Sequence, residues 1–169
     1  MQAYFVICGG HELIAAPVLR AGRDEDDFVA LIGACWAEYP GCVMDVDGEV
    51  PELRALASYF AKHGGALWAA EADGVVVGMV GTRPLGEEAW EVCKMYVAAC
   101  YRGGGLASAL IDAAEAYARA AGATQMKLWT DTRFERAHRF YEKRGYVRRG
   151  SLRVLNDLSN SVEYHYVKA

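Results

Sequence analysis

The sequence is short of three things: an excess of basic residues, paired cysteines, and a long uninterrupted apolar run. Its 18 Lys and Arg are outnumbered by 22 Asp and Glu, which gives a net charge of -4. Nucleic-acid-binding proteins usually carry a basic patch, so we expect no nucleic-acid partner. Local backbone amides can still bind an anion in an acidic protein, so anionic ligands are not excluded.

The cysteines form neither a CxxC pair nor a metal-ligand spacing with the four histidines. There are five of them, at positions 8, 35, 42, 93 and 100. An odd number in largely apolar settings is typical of reduced, buried thiols. We therefore expect no metal, no disulfide framework and no catalytic cysteine.

The N-terminal stretch, "MQAYFVICGGHELIAAPVLR", is apolar but has no basic residues before its apolar part. Residues 9–12 interrupt it with two glycines, a histidine and a glutamate. It resembles neither a signal peptide nor a membrane span. We expect a cytoplasmic location and no membrane partner. What precedes the first main strand is an extra strand or an arm.

Composition and length are typical of one folded domain. The 169 residues are 53% hydrophobic and 24% charged, which is enough apolar content to build a core. No linker, repeat or low-complexity tract divides the chain, so we predict a single domain over residues 1–169.

Periodicity predicts two helices and a meander in the first part of the chain. A first strand is expected within Ile14–Arg20, followed by a helix over residues 23–41 that Asp24 caps. Pro51–His63 is predicted as the second helix. The Asp73-Gly74 turn predicts a hairpin. With Trp90–Val97 it makes an antiparallel meander over residues 66–97.

The second part alternates helices and strands. A third helix runs to about Ala121, a strand covers Met126–Thr130, and a fourth helix covers Phe134–Arg144. Strands over residues 146–151 and 161–167 flank a polar loop. A strand, a long helix and another strand predict a parallel pair with a right-handed crossover. The fold class is therefore α/β, a mixed sheet with helices on its faces.

Three consecutive glycines stand where the third helix must begin. Glycine is costly in regular structure, and bare amides at a helix N-terminus suit a phosphate group. The chain has no GxxxxGK[ST] loop. A GxGxxG dinucleotide fingerprint also fits poorly, because Ser108 stands at the third glycine and no acidic residue closes the next strand. An unoccupied strand-to-helix turn is the alternative.

Two motifs resemble those of the GNAT superfamily of acetyltransferases. The first is "RGGGLA" at residues 102–107, similar to the family's [QR]-x-x-G-x-[GA] loop, and the second is "AHRFYEKRGY" at residues 137–146. The order of elements agrees from about residue 14 to residue 167. The resemblance implies a mixed sheet of about seven strands flanked by four helices and splayed at the cofactor site. It also implies transfer of an acetyl group from acetyl-CoA, bound as a co-substrate without a metal.

The resemblance assigns cofactor-binding roles to two short stretches. Amides of the loop would bind the pyrophosphate of coenzyme A, and the end of the third meander strand would pair with the pantetheine arm through main chain. A backbone N–H near Val97 would polarise the thioester carbonyl. The residues concerned are Tyr96, Val97, Ala98, Arg102, Gly103, Gly104, Gly105, Leu106 and Ala107.

Two catalytic residues are also implied. Tyr141 matches a tyrosine that often lies near the CoA sulfur, where a phenol can protonate the departing thiolate; packing in the core is the alternative. Glu91 matches the catalytic glutamate of some members and would serve as the base. Strand alternation places it on one face with Cys93 and Met95. An edge-exposed carboxylate, with a water chain as base, is its alternative.

The sequence departs from the family pattern at three positions. Phe134 stands where many members have a cofactor-binding asparagine, Ala99 replaces a frequent proline, and Gly104 replaces a frequent basic residue. Phosphate binding should therefore depend more on amides and on Arg102.

The acceptor is expected to be a small molecule with a primary amine. In the family, two loops flank the acceptor pocket, here residues 44–52 and 150–161. Their Asp45, Asp47, Glu49 and Asp157 would attract a cation, whereas Arg153 would suit a carboxylate. A peptide or protein amine, an aminoacyl-tRNA acceptor, a non-catalytic acyl-CoA-binding module and a homodimeric assembly remain alternatives. Trp36, Tyr39, Trp68, His138 and His165 receive no specific role.

Overall fold

The computed structural model describes residues 6–7 and 13–169, with side chains from residue 15 onward. Two short strands, β1 (Val6–Ile7) and β2 (Leu13–Ile14), pair antiparallel in a small sheet of their own. The expectation for Cys8 lies outside the described residues.

The main sheet has eight strands in the order β3-β4-β5-β6-β7-β10-β8, and β9 pairs with β10. Neighbours are antiparallel except β6 and β7, which are parallel. The mixed sheet predicted from the sequence is confirmed. The strands are β3 (Val18–Ala21), β4 (Ala66–Ala72), β5 (Val75–Pro84), β6 (Ala89–Val97), β7 (Gln125–Asp131), β8 (Val147–Arg148), β9 (Arg153–Val154) and β10 (Val162–Lys168).

Within the described residues the α-helices number four, as predicted. They are α1 (Phe28–Trp36), α2 (Leu56–Lys62), α3 (Leu106–Ala120) and α4 (Glu135–Lys143). Short 3-10 turns precede α2 at Pro51–Ala55 and α3 at Ala99–Tyr101.

One predicted helix cap is wrong. The carboxylate of Asp27, not that of Asp24, accepts a hydrogen bond from the Ala30 N–H at the start of α1. Asp24 instead accepts hydrogen bonds from the backbone and hydroxyl of Ser58. In a run of four acidic residues, the position where the chain turns helical decides which one caps.

The two faces of the sheet are covered by different helices. Phe28, Ile32 and Phe60 of α1 and α2 pack with Ala69 and Met79. On the other face, residues of α3 and α4 join the larger core cluster. Its helical members are Leu106, Leu110, Ile111, Ala114, Ala118 and Tyr141. Apolar burial on both faces is the dominant source of stability in such a layered fold.

Strands β6 and β7 separate before either one ends. Their parallel pairing covers Ala89↔Gln125 to Glu91↔Lys127, while β6 continues to Val97 and β7 to Asp131. Strand β7 stays paired with β10 up to Asp131, so it is β6 that loses a neighbour. This is the splay expected from the family resemblance.

A β-bulge interrupts β6 near Lys94. Met79 of β5 faces Tyr96 and Gly81 faces Cys93, so two residues of β6 oppose one of β5. Lys94 takes a φ of 53° and its Nζ lies 3.0 Å from a carboxylate oxygen of Glu52. A bulge adds one residue and reverses which face the following residues occupy.

The bulge overturns one expectation. Cys93 packs against the α1–α2 cluster, but Met95 packs against the α3–α4 cluster. Strict alternation from Glu91 through Cys93 to Met95 is therefore wrong beyond Cys93.

Candidate functional site

A cavity of about 490 Å³ lies between the C-terminal half of β6, the end of α1, the start of α3 and the length of α4. We call it the helix cavity. It is mostly apolar, and its charged lining side chains are all cationic. They are Arg102, Arg136, Arg139 and Lys143. The arrangement suits a long, partly apolar ligand that carries negative charge.

The glycine cluster leads from this cavity, which Gly103 lines, to the start of α3. Gly103 and Gly105 have φ values of 82° and 90°, in the left-handed region that favours glycine, whereas Gly104 does not. Gly105 is the N-cap of α3, and no side chain accepts a hydrogen bond there. The first amides of α3 therefore face an exposed turn, with Leu106 buried in the core as their anchor. Such amides can hold an anion.

The side chain of Arg102 points away from that turn. Its Nη atoms each lie 2.6 Å from a carboxylate oxygen of Glu38, and its Nε donates to the Val97 carbonyl at 2.8 Å. The sulfur of Cys35 lies 3.6 Å from both the guanidinium and that carbonyl. The hydrogen bonds from Arg102 hold the pKa of Glu38 below its ordinary value.

The end of β6 is thus already engaged in part. Besides the Val97 carbonyl, the Ala98 N–H donates to Val77 at 2.9 Å. Of the main-chain groups predicted to bind pantetheine, those two have internal partners. Sequence reasoning assigned no role here to Glu38 or Cys35, because their contacts with the end of β6 join residues more than 60 positions apart.

Tyr141 lies on α4 and is surrounded by other aromatic rings. The residue is 8% exposed, and its ring contacts Phe140, Tyr146 and Tyr166. Burial raises the pKa of its phenol, with nearby Tyr96 and Cys93 adding to the effect. A neutral phenol keeps its proton and can act as a donor.

A second cavity of about 390 Å³ lies beside β6 and β7, under two loops. We call it the loop cavity. It is lined by carboxylates, cations and aromatic rings. The carboxylates are Glu49, Glu52, Glu91, Asp131, Asp157 and Glu163, and the cations are Arg83, Lys94, Arg133 and Arg153.

Each of these cations is paired with one lining carboxylate. The pairs are Arg83–Glu91, Lys94–Glu52, Arg133–Asp131 and Arg153–Glu163. Among the lining groups of the described chain, the carboxylates of Glu49 and Asp157 form no ion pair. They accept backbone hydrogen bonds from Leu158 and Ser161, each at 2.7 Å. The loop cavity is therefore net acidic.

The four loop carboxylates predicted from the sequence separate into two groups. Glu49 and Asp157 line the loop cavity. Asp45 accepts from the Gly48 N–H at 2.9 Å, and Asp47 pairs with Arg54, so both serve local turns. Arg153 lines the cavity, but Glu163 neutralises it and its guanidinium stacks on Trp129 at 4.3 Å.

Glu91 is 7% exposed and lies in the loop cavity. Its Oε2 accepts from the Arg83 Nε at 2.9 Å and lies 2.8 Å from an Arg83 Nη, while the other Nη donates to Tyr59. Within the described chain, Oε1 receives no hydrogen bond. Sequence reasoning missed Arg83, which is directly opposite Glu91 on β5.

The two cavities meet at a shared wall. It consists of Trp36, Met95, Tyr96, Phe134, Ala137 and Tyr141, which line both. Trp36 donates to the Tyr96 hydroxyl at 3.0 Å, and Phe134 packs on Tyr39 with ring centroids 4.6 Å apart. A group bound in one cavity can therefore approach a group bound in the other near Tyr141.

Residues 15–169 contain no cluster of His, Cys, Asp and Glu arranged to hold a metal ion. Over the same described part of the chain, every helix is too short or too polar to cross a bilayer.

Comparison with known proteins agrees with this architecture. Residues 28–146 match the Acetyltransferase (GNAT) family. A relative from Escherichia coli, the uncharacterized N-acetyltransferase YjgM, is 33% identical over 138 residues, covering 78% of this chain and 82% of that protein. The probable N-acetyltransferase family 8 member 5 of mouse is 35% identical over 98 residues, 55% of this chain.

The chain spans about half the length of such mammalian relatives, 43% for the mouse protein. Among solved structures, an acetyltransferase from Staphylococcus aureus superposes with a TM-score of 0.77 over 90% of this chain and 98% of that one, at 20% identity.

Proposed function

Because the chain belongs to the GNAT family of acetyltransferases, we propose that it transfers an acetyl group from acetyl-CoA to the primary amine of a small molecule. The helix cavity would hold the donor and the loop cavity the acceptor. The observation that carries this proposal is the shared wall, where the two cavities meet beside the buried phenol of Tyr141.

The donor assignment is supported by charge and backbone geometry. The helix cavity has cationic but no acidic lining side chains, and Gly103 and Ala107, on either side of the uncapped start of α3, line it. Phosphates bind favourably at such helix ends. The separation of β6 from β7 leaves backbone groups of β6 without a strand partner on that side, as an extended pantetheine arm would require.

The acceptor assignment is supported by the surplus of two carboxylates in the loop cavity. Glu49 and Asp157 form no ion pair, so carboxylates outnumber cations in this cavity, and the excess favours binding of an ammonium group. Aromatic walls, among them Trp129 and Tyr59, supply apolar area for the rest of a small amine.

Starting from an ammonium group, the reaction removes two protons from the nitrogen and delivers one proton to the leaving sulfur. Glu91 would accept the ammonium proton through Oε1, directly or through water. The neutral amine nitrogen then bonds to the acetyl carbon as the carbon–sulfur bond breaks. Tyr141 would give its phenolic proton to the departing thiolate, and its phenolate would take the second proton, which leaves the nitrogen once the carbon–nitrogen bond has formed. Glu91 would release the first proton to solvent. The products are an N-acetylated amine and coenzyme A.

The test is a calorimetric titration of the protein with acetyl-CoA, with NAD and ATP as controls. We expect acetyl-CoA alone to bind. A screen of small amines and peptides for free-thiol release would then identify the acceptor. Binding without release from any amine would favour a non-catalytic acyl-CoA module, and release with peptides alone would favour a protein acceptor. An absence of acetyl-CoA binding would contradict the proposal.

A further inference from the structure

A row of cations runs along the face of α4 that lines the helix cavity. Arg136, Arg139 and Lys143 are spaced by three and four residues, which places them on one side of a helix. All three are exposed, and all three line the helix cavity. We call them the α4 basic stripe. It extends about 10 Å along the helix axis, since each residue adds about 1.5 Å.

The stripe has little internal use for its charge. In the described chain, Arg136 and Lys143 make no ion pair with a carboxylate, although the charge of Arg136 makes a minor contribution to the lowered pKa of Glu38. Arg139 lies 3.6 Å from Glu135, but both side chains are more than 60% exposed. Such exposed pairs contribute little to stability. The three cations are therefore available to a ligand.

Arg102, the basic residue of the phosphate-loop motif, is by contrast already engaged by internal partners. Glu38 holds it with two bonds of 2.6 Å, and its Nε is used by the Val97 carbonyl. A bidentate pair between guanidinium and carboxylate is geometrically matched and charge-neutral. To meet a phosphate, the side chain would have to leave these partners.

The loop itself adds no other positive side chain, because residues 103–105 are glycines. We propose that the α4 basic stripe, and not Arg102, neutralises the phosphates of the bound acyl-CoA. This inference rests on the proposed function and adds the determinant of donor charge. The shared chemistry is a phosphate group, which either the pyrophosphate or the 3′-phosphate of the nucleotide supplies.

The test is a triple variant, Arg136→Gln with Arg139→Gln and Lys143→Gln, titrated with acetyl-CoA. We expect binding to weaken about tenfold or more, since three charges facing an anion are lost. The matched control replaces exposed cations that line neither cavity, Arg23→Gln with Lys62→Gln and Arg149→Gln. It has the same net charge as the triple variant and should bind nearly as the parent does.

Two further donors identify which phosphate is involved. If the stripe contacts the 3′-phosphate, the loss should disappear with 3′-dephospho-acetyl-CoA. If it contacts the pyrophosphate, the loss should persist with that donor and disappear with S-acetyl-pantetheine, compared as kcat/KM for the donor. An equal loss with all three donors would overturn the inference, because it would indicate a packing role.

Arg102→Gln completes the comparison. We expect it to weaken acetyl-CoA binding clearly less than the triple variant. An equal or larger loss for Arg102→Gln, or unchanged binding by the triple variant, would overturn the inference while leaving the proposed function intact. If the parent protein binds none of the donors, the proposed function fails first, and the inference with it.

Discussion

The helix cavity and the loop cavity share a wall but are built in different ways. Most of the helix cavity comes from two continuous stretches, residues 95–107 and 134–143. The loop cavity gathers residues from β5, β6, β7, α2 and two loops that are more than 100 positions apart. One cavity depends on backbone and local motif, and the other depends on paired charges and on loops that the fold brings together.

This difference teaches where specificity can change. A site made by main chain tolerates side-chain variation as long as the turn and the strand persist. A site made by four ion pairs and two uncompensated carboxylates changes its charge with any one substitution. We therefore expect the helix cavity to tolerate conservative substitutions and to respond mainly to a change of charge, whereas conservative substitutions in the loop cavity should already alter the reaction. The predictions below test that contrast.

The largest effect should come from a negative charge in the glycine turn beside the helix cavity. Gly104→Glu should weaken acetyl-CoA binding at least ~100-fold, since like charges brought together cost several kcal/mol. Gly104 is the informative site because it has no positive φ, unlike Gly103 and Gly105, so strain does not confuse the result. Calorimetry measures it, with Gly104→Gln as control. Equal binding by both variants would remove the phosphate from this turn.

The second effect concerns the shared wall. Tyr141→Phe should lower kcat about 100-fold with little change in acetyl-CoA affinity, because only the proton donor is lost. Thiol release and titration measure the two quantities. Phe140→Leu, which changes a ring beside Tyr141, is the control for packing. An unchanged kcat would mean that the phenol is only a core residue.

A smaller effect is expected in the loop cavity itself. Glu91→Gln should lower kcat/KM about tenfold and leave acetyl-CoA binding unchanged, because water can replace part of a base's role. Steady-state kinetics with the identified acceptor measure it. Arg83→Gln, which removes the partner of Glu91, tests the pair from the other side. A loss confined to Arg83→Gln would make the pair structural and exclude Glu91 as base.

The smallest effect on turnover should come from the Asp131–Arg133 ion pair, which lines the loop cavity. Its effect is expected in the stability of the fold. Burial alone would raise the pKa of Asp131, but hydrogen bonds from the Arg133 side chain and N–H outweigh it and lower that pKa below 3.8. Asp131→Asn should reduce the free energy of unfolding by about 2 kcal/mol at neutral pH.

The pH dependence of that difference follows from its sign. A carboxyl whose pKa is lower in the folded state stabilises the fold above its unfolded pKa and loses this contribution as pH falls. Denaturation of the parent and of Asp131→Asn should therefore converge below about pH 4. A gap that stays constant down to pH 2 would mean that the ion pair is not its source.

Much of the fold followed from local patterns. The Asp73-Gly74 turn does form the β4–β5 hairpin, with φ values of 50° and 78°, and α3 and α4 begin and end within two residues of their predicted bounds. Turns and helix periodicity act over a few residues, so the sequence displays them directly.

The remaining features depend on contacts that no short window contains. The bulge at Lys94 adds one residue to β6, and nothing in the local alternation marks it. The two-residue strand β9 exists because β10 offers it an edge. The ion pair of Arg102 with Glu38 joins residues that are far apart in the sequence. The ion pair of Arg83 with Glu91 joins residues on neighbouring strands.

The separation of β6 from β7 has a consequence for hydrogen exchange. Amides near Ala89–Glu91 are protected by strand pairing on both sides of β6. In the C-terminal half of β6, the amides that point toward β7 have no strand partner. The N–H protons of these unpaired amides should therefore exchange with deuterium quickly in the free protein. A bound acyl arm would occupy the place of the missing strand and slow them. The exchange rates of these β6 amides would thus show, residue by residue, whether an acyl arm is bound, without any label on the ligand.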